Sequence, residues 1–248
     1  GPPGGPPTSV VQRVLVAPAD GFLKQSLVRP GDQVKAGQVL VEMAEQDLQI
    51  ERRKWSSELA QHENAYGAAL ARADTILVWG DSLSAGYGLK KGQEWPALLQ
   101  TRLQAEGFRH VVVNGSVSGE TSSGGRTRLP DALAEHSPTL VILELGANDG
   151  LRGLKPQLLA DNLGTMIDAA HQARARVLLV GMRMPPNYGP AYTRRFAEVF
   201  ADVAEAKKVP LVPFLMDGFA DRPELFLPDG IHPTAEAQPR IVDTVWAG

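Results

Sequence analysis

Gly80-Asp81-Ser82-Leu83-Ser84 follows the apolar run Thr75-Ile76-Leu77-Val78-Trp79. The run has the length and the β-rich composition of a buried strand. A Ser placed where such a strand breaks into a turn lifts its hydroxyl out of the core and into a cleft. Alone the hydroxyl is a weak nucleophile. It needs a base, and the base needs an orienting acid. Near the other end of the chain, Asp229-Gly230-Ile231-His232 supplies both within one short turn. Ser82, His232 and Asp229 are therefore the candidates for one hydrolytic site.

From Asp74 onward, apolar β-rich runs alternate with helical patterns. Strands are expected at 75–79, 110–114, 140–145, 177–181 and 209–214. Helices are expected near 95–106, 122–135, 156–173, 191–207 and 234–246. Apolar strands joined by helices imply a parallel sheet covered on both faces. Right-handed crossovers make it a doubly wound α/β sandwich, with ligands at the carboxyl ends of the strands. The chemically suggestive residues all fall just after strand ends. After the second strand, Asn114-Gly115-Ser116-Val117-Ser118-Gly119-Glu120-Thr121 opens a helix and can present backbone N–H groups to an oxyanion. After the third, Gly146-Ala147-Asn148-Asp149-Gly150 offers the Asn148 side chain as a further donor. Each segment taken alone also has an ordinary reading as a helix cap, a βα loop or a turn. Four of them, each after a different strand, are hard to explain that way.

The net charge of −3 gives no argument for nucleic acid as a partner. No apolar run approaches the ~20 residues needed to cross a bilayer. The absence of cysteine excludes disulfides, a thiol nucleophile and Cys-ligated zinc. No His/Asp/Glu cluster has metal-ligand spacing, so neither metal nor cofactor is expected. No signal peptide is read in the chain. Ala71-Arg72-Ala73 has the form of a cleavage site, but the polar stretch before it lacks the apolar region a signal needs.

Residues 1–9 are Gly/Pro-rich and read as a linker or the remnant of a tag. Residues 10–43 show short apolar segments punctuated by Asp20-Gly21, Pro30-Gly31-Asp32 and Ala36-Gly37. Residues 44–72 read as one long helix with an apolar stripe of Leu48, Trp55, Leu59, His62 and Tyr66. The pattern Val28-x-Pro30-Gly31-Asp32-x-Val34-x-x-Gly37-x-Val39-Leu40 resembles the first half of a biotinyl/lipoyl-like barrel, as found in HlyD-type periplasmic adaptor proteins. Carrier members of that family hold their cofactor on a Lys in the central hairpin. Here Glu42-Met43-Ala44-Glu45-Gln46 stands in its place, so a swinging-arm cofactor is not expected. The half-module is incomplete by itself. It pairs with a copy in another chain, packs on the second domain, or belongs to a fusion. Self-association or adaptor-like contacts through 10–72 are the partner readings this leaves open.

Gly80-Asp81-Ser82-Leu83, the Gly119 loop, Gly146-Ala147-Asn148-Asp149 and Asp229-Gly230-Ile231-His232-Pro233 resemble the four blocks of the SGNH (GDSL) hydrolases. The flanking Ala85-Gly86-Tyr87-Gly88, Leu145 to Gly153 and Pro185-x-Asn187-Tyr188-Gly189 are similar to the bacterial multifunctional thioesterase/protease/lysophospholipase subgroup. The resemblance covers about residues 74–248. It implies a flavodoxin-like, doubly wound five-stranded parallel sheet. It implies Ser82 as nucleophile, His232 as base and Asp229 as orienter. It also implies an oxyanion hole from the Ser82 and Gly119 backbone N–H groups and the Asn148 side chain. Leu151, Met184, Tyr188 and Ile231 are expected along the acyl pocket. The implied substrate is a small-molecule ester or thioester with a lipid-like acyl group, of the arylesterase, thioesterase or lysophospholipase type, and the implied location is periplasmic or secreted. Two positions depart from the family pattern: Glu120 replaces Asp, and Ala147 replaces Gly beside Asn148. The competing readings are an adaptor-like binding protein with a secondary hydrolase domain, and an SGNH deacetylase of carbohydrate.

Overall fold

The structure, a computed structural model, describes residues 23–27, 29, 32–35, 37–39, 41–43, 52–61 and 74–248. The chain divides into two compact units between Arg72 and Ala73. In the first, β1 (Leu23–Ser26) pairs antiparallel with β2 (Val41–Met43), and residues 52–61 form helix α1. Trp55 and Leu59, one turn apart on α1, are both exposed. The Gly/Pro-rich start, most of the expected half-barrel and the rest of the expected long helix lie outside the described residues.

The second unit is built on β3 (Thr75–Gly80), β4 (Val111–Asn114), β5 (Leu140–Glu144), β6 (Arg176–Val180) and β7 (Leu211–Val212). All pair in parallel, in the spatial order β4-β3-β5-β6-β7. This is the flavodoxin-like order, and its direction reverses between β3 and β5. The central strands β3, β5 and β6 are buried almost throughout, and edge strand β4 is half exposed. The last strand is shorter than its apolar run suggests. Pro210 and Pro213 flank it, and proline has no N–H to give to a ladder.

The helices form two layers. Helices α4 (Ser122–His136), α6 (Pro156–Gln172) and α7 (Pro190–Lys207) pack side by side, and α3 (Trp95–Ala105) packs with α8 (Gln238–Ala247). Right-handed crossovers dictate this division. The strand step β3 to β4 runs opposite to the later steps, so α3 lies on the other face from α4, α6 and α7. Sequence periodicity sets which side of each helix is buried. Leu159, Leu163, Met166, Ile167 and Ala170 recur at helical spacing and are fully buried on α6. Phe196, Val199, Phe200 and Val203 do the same on α7. Pro156 and Pro190 open their helices at positions where the missing N–H costs nothing.

Two short helices complete the unit, α2 (Ser82–Ala85) and α5 (Ala147–Leu151). They follow β3 and β5, the two strands flanking the reversal. Gly80 and Glu144 pair at the ends of these strands. A Cβ on Gly80 would lie 2.6 Å from Glu144 Oε2, 2.8 Å from Ser84 Oγ and 2.9 Å from the Glu144 carbonyl oxygen. Backbone and a buried carboxyl cannot give way cheaply. The Gly80→Ala substitution is expected to cost ~1–3 kcal/mol as an overpacking change, read as a lowered urea midpoint with an unchanged slope.

Candidate active site

Asp81 caps α2 from a position with no solvent exposure. Its Oδ1 accepts the Leu83 N–H at 3.0 Å, which starts the helix directly at Ser82. A left-handed Gly86 ends the helix after one turn, with φ of 80°. This short turn leaves the Ser82 hydroxyl at the cleft. There His232 Nε2 lies 2.8 Å from Ser82 Oγ, and His232 Nδ1 lies 2.7 Å from Asp229 Oδ2. With Nδ1–H donating to Asp229, Nε2 is left as an acceptor for the Ser82 hydroxyl.

The His232 turn is held without regular secondary structure. Leu227 N–H donates to the His232 carbonyl at 2.7 Å, Thr234 N–H to the Leu225 carbonyl at 2.8 Å, and Gly230 N–H to the Leu227 carbonyl at 2.8 Å. Asp229 Oδ1 accepts the backbone N–H groups of Ile231 and His232 at 2.9 and 3.0 Å. The Tyr87 ring packs 4.4 Å from the imidazole, centroid to centroid. Both Asp229 oxygens are thus occupied. The His232 backbone N–H first, then Ile231 N–H and the imidazole, lower the Asp229 carboxyl to about 2.

Ser82, Gly119 and Asn148 all line the cleft. The N–H groups of Ser82 and Gly119 meet no acceptor among the described residues. Gly119 has φ of +80° and open space where a Cβ would stand. Its carbonyl accepts from Arg152 at 3.1 Å. Asn148 Nδ2 donates to the Glu120 carbonyl at 2.9 Å and to Asp81 Oδ2 at 3.2 Å. Asp81 therefore ties the Ser82 helix to the Asn148 helix. The two departures from the family pattern find places here. Glu120 Oε2 accepts from Arg128 Nε at 2.6 Å, and the same guanidinium sits 4.2 Å over the Trp79 ring. The longer acid reaches an arginine on α4. Ala147 is buried at the first position of α5, after a Gly146 with φ of 127°.

The cleft has a volume of about 680 Å³. Leu151, Met184 and Ile231 line it, and Tyr188 does not. The Tyr188 hydroxyl instead donates to the Leu151 carbonyl at 3.2 Å, so it supports the wall from behind. Met182, Arg183, Phe214, Met216 and Phe226 line the cleft without having been expected there. The strand ends announced where their loops begin, but gave no sign of which side chains turn inward.

Residues 78–239 match the model of the GDSL-like lipase/acylhydrolase family. The chain belongs to that family. It is 51% identical over 176 residues to the esterase TesA of Pseudomonas aeruginosa, covering 71% of this chain and 88% of the relative. It is 44% identical over 173 residues to thioesterase 1/protease 1/lysophospholipase L1 of Escherichia coli, covering 70% and 82%. Among solved structures, a crystal structure of TesA superposes with a TM-score of 0.69 at 50% identity, covering 70% of this chain and 97% of that one. The psychrotrophic esterase EstA from Pseudoalteromonas gives 0.68 at 40% identity, covering 70% and 95%.

A second carboxyl lies beneath the site. Glu144 is fully buried, and Ser84 Oγ donates to its Oε2 at 2.6 Å while accepting from Trp95 Nε1 at 3.2 Å. Burial first, and then the Asp81 charge, push Glu144 well above the usual carboxylate range. Burial also pushes Asp81 from 3.8 up to about 6, against the Leu83 N–H, His232 and Asn148. Of the two, Glu144 is the carboxyl that burial raises further, with the Asp81 charge beside it adding to the shift. A carboxyl whose folded pKa exceeds its unfolded value takes up a proton on folding, so its stability contribution is lost as pH rises. Asp81 acts between its 3.8 and about 6, and Glu144 from its ordinary 4.5 upward. The melting temperature is expected to fall as pH is raised from weakly acid to neutral. Glu144→Gln, a neutral isostere, is expected to flatten that slope by up to one proton, ~1.4 kcal/mol per pH unit.

Proposed function

We propose that Ser82, His232 and Asp229 form a nucleophile–base–orienter triad for acyl transfer to water. The observation that carries this is the unbroken chain from Ser82 Oγ to His232 Nε2 and from His232 Nδ1 to Asp229, at 2.8 and 2.7 Å. The chain is a carboxylic ester hydrolase of the esterase/thioesterase type. Its relatives at 43–51% identity include an esterase, an arylesterase of Vibrio mimicus and a thioesterase/lysophospholipase.

In this reading Ser82 attacks the carbonyl carbon of an ester or thioester while His232 Nε2 takes the hydroxyl proton. Asp229 holds the imidazole in the required tautomer and balances the imidazolium. The tetrahedral oxyanion accepts from the Ser82 and Gly119 N–H groups. Asn148 supplies a third bond by exchanging its longer contact, the one to Asp81. His232 returns the proton to the leaving alcohol or thiol. A water then attacks the acyl-enzyme by the same route in reverse and frees the acid. The apolar wall of Leu151, Met184 and Ile231, with Met182, Phe214, Met216 and Phe226, suits a lipid-like acyl chain.

The chain divides on this reading into a linker or tag remnant at 1–9, a half lipoyl-like segment with a helix at 10–73, and the hydrolase at 74–248. The antiparallel β1–β2 pair and the helical residues 52–61 are in keeping with the second part. A periplasmic or secreted location follows from the resemblance of both parts. Self-association through 10–72 would give the exposed Trp55 and Leu59 an apolar partner.

Ser82→Ala and His232→Ala are expected to abolish hydrolysis of a short p-nitrophenyl ester, each with an unchanged melting temperature. Asn148→Ala is expected to lower kcat by about 10²–10³ if the side chain serves the oxyanion. Full activity in Ser82→Ala would overturn the triad, and full activity in Asn148→Ala would remove only the third donor.

A further inference from the structure

Arg183 is an exposed cation on an apolar cleft. It follows β6 through Gly181 and stands between Met182 and Met184, whose side chains are buried. Its guanidinium lies 4.9 Å from the Phe214 ring centroid, and Phe214 lines the same cleft just after β7. Stacking on an aromatic face holds the planar group without using its N–H donors. Among the described residues Arg183 makes no ion pair and no hydrogen bond.

Its neighbours supply no partner for the charge. The acidic residue in the cleft lining is Asp81, which is fully buried and already accepts from Leu83 and Asn148. The remaining basic residue of the lining is His232, committed to Ser82 and Asp229. Arg183 thus places a permanent positive charge, with its donors free, beside the apolar wall of the pocket formed by Met182, Met184, Phe214 and Met216. A guanidinium in a planar fork fits the paired oxygens of a phosphate or a carboxylate.

We propose that Arg183 is a specificity-determining residue that binds an anionic group, phosphate or carboxylate, carried by the ester or thioester substrate. The assignment rests on the esterase reading and narrows it to acyl compounds with a negative charge remote from the scissile carbonyl. The charge has two possible sources. One is a phosphorylated leaving group, as in an acyl-coenzyme A. The other is a far carboxylate on the acyl chain, as in a half-ester of a dicarboxylic acid.

The test measures kcat/KM of the full chain on three substrates of equal acyl length. These are a neutral p-nitrophenyl ester, an acyl-coenzyme A, and the p-nitrophenyl half-ester of the matching dicarboxylic acid. The readout is the ratio of each anionic substrate to the neutral one. Arg183→Gln is expected to lower at least one ratio about tenfold, the worth of a charge-assisted hydrogen bond. Arg183→Glu is expected to lower it further, and Arg183→Lys to retain part of it. The ratio that responds identifies which end of the substrate carries the anion. Both ratios staying within about twofold of wild type in Arg183→Gln and Arg183→Glu would overturn the assignment while leaving the esterase reading intact. A wild-type protein inert towards all three substrates would overturn both.

Discussion

Gly80 and Glu144 end neighbouring parallel strands side by side, and the site is assembled on that register. Only a residue without a side chain lets the two strand ends approach this closely. Glu144 then reaches under the turn that carries Ser82 and accepts from Ser84. From the same place Asp81 reaches across to Asn148. The helix that carries Ser82 and the helix after β5 are thereby fixed to each other before any substrate arrives. Preorganisation of this kind counts in catalysis because donors that are already aimed need no reorganisation during the reaction. Its cost is two carboxyls out of water, and burial pushes both above the usual carboxylate range.

The last part of the chain closes the site by other means. His232 stands 150 positions from Ser82 and lies in a loop. Its position comes from backbone bonds between 225–227 and 230–234 and from Asp229, which caps the turn with one oxygen and the imidazole with the other. Buried Gln238, at the start of α8, accepts the Trp95 N–H at 2.9 Å and ties this end of the chain to α3. Trp95 in turn donates to Ser84. Both ends of the domain therefore converge on the turn beneath Ser82.

The sheet order and the meeting of Ser82, His232 and Asp229 were legible because parallel strands are apolar runs and their carboxyl ends face one crevice. The spacing Asp229 to His232 also has a local signature. Other features have none. Short helices such as Ser82–Ala85 and Ala147–Leu151 carry no period, and both segments read from sequence as turns. Tyr188 looks like a wall residue in the sequence, yet its hydroxyl is drawn to the Leu151 carbonyl behind the wall. Glu144 is the acid within the apolar run 140–145, and nothing in the run says what it touches. Its burial is a product of the β3–β5 register. Arg183 and Phe214 come from loops after different strands, so no spacing in the chain relates them.

In the proposed mechanism the donors facing the oxyanion differ in what it costs to use them. The N–H groups of Ser82 and Gly119 have no acceptor to give up, so each gains a bond when negative charge develops. Asn148 has both N–H bonds engaged, and the one to Asp81 holds a buried charge in place. Lending that bond to the oxyanion removes a donor from Asp81 and brings a second negative charge near the first. The loss is softened because Asp81 keeps its bond from Leu83 and lies in the field of a His232 that is now protonated. Proton transfer to the imidazole thus compensates Asp81 at the same moment that the oxyanion draws on Asn148. On that proposal the arrangement couples the third donor to the base, and the two backbone N–H groups are the part of the hole that works without exchange.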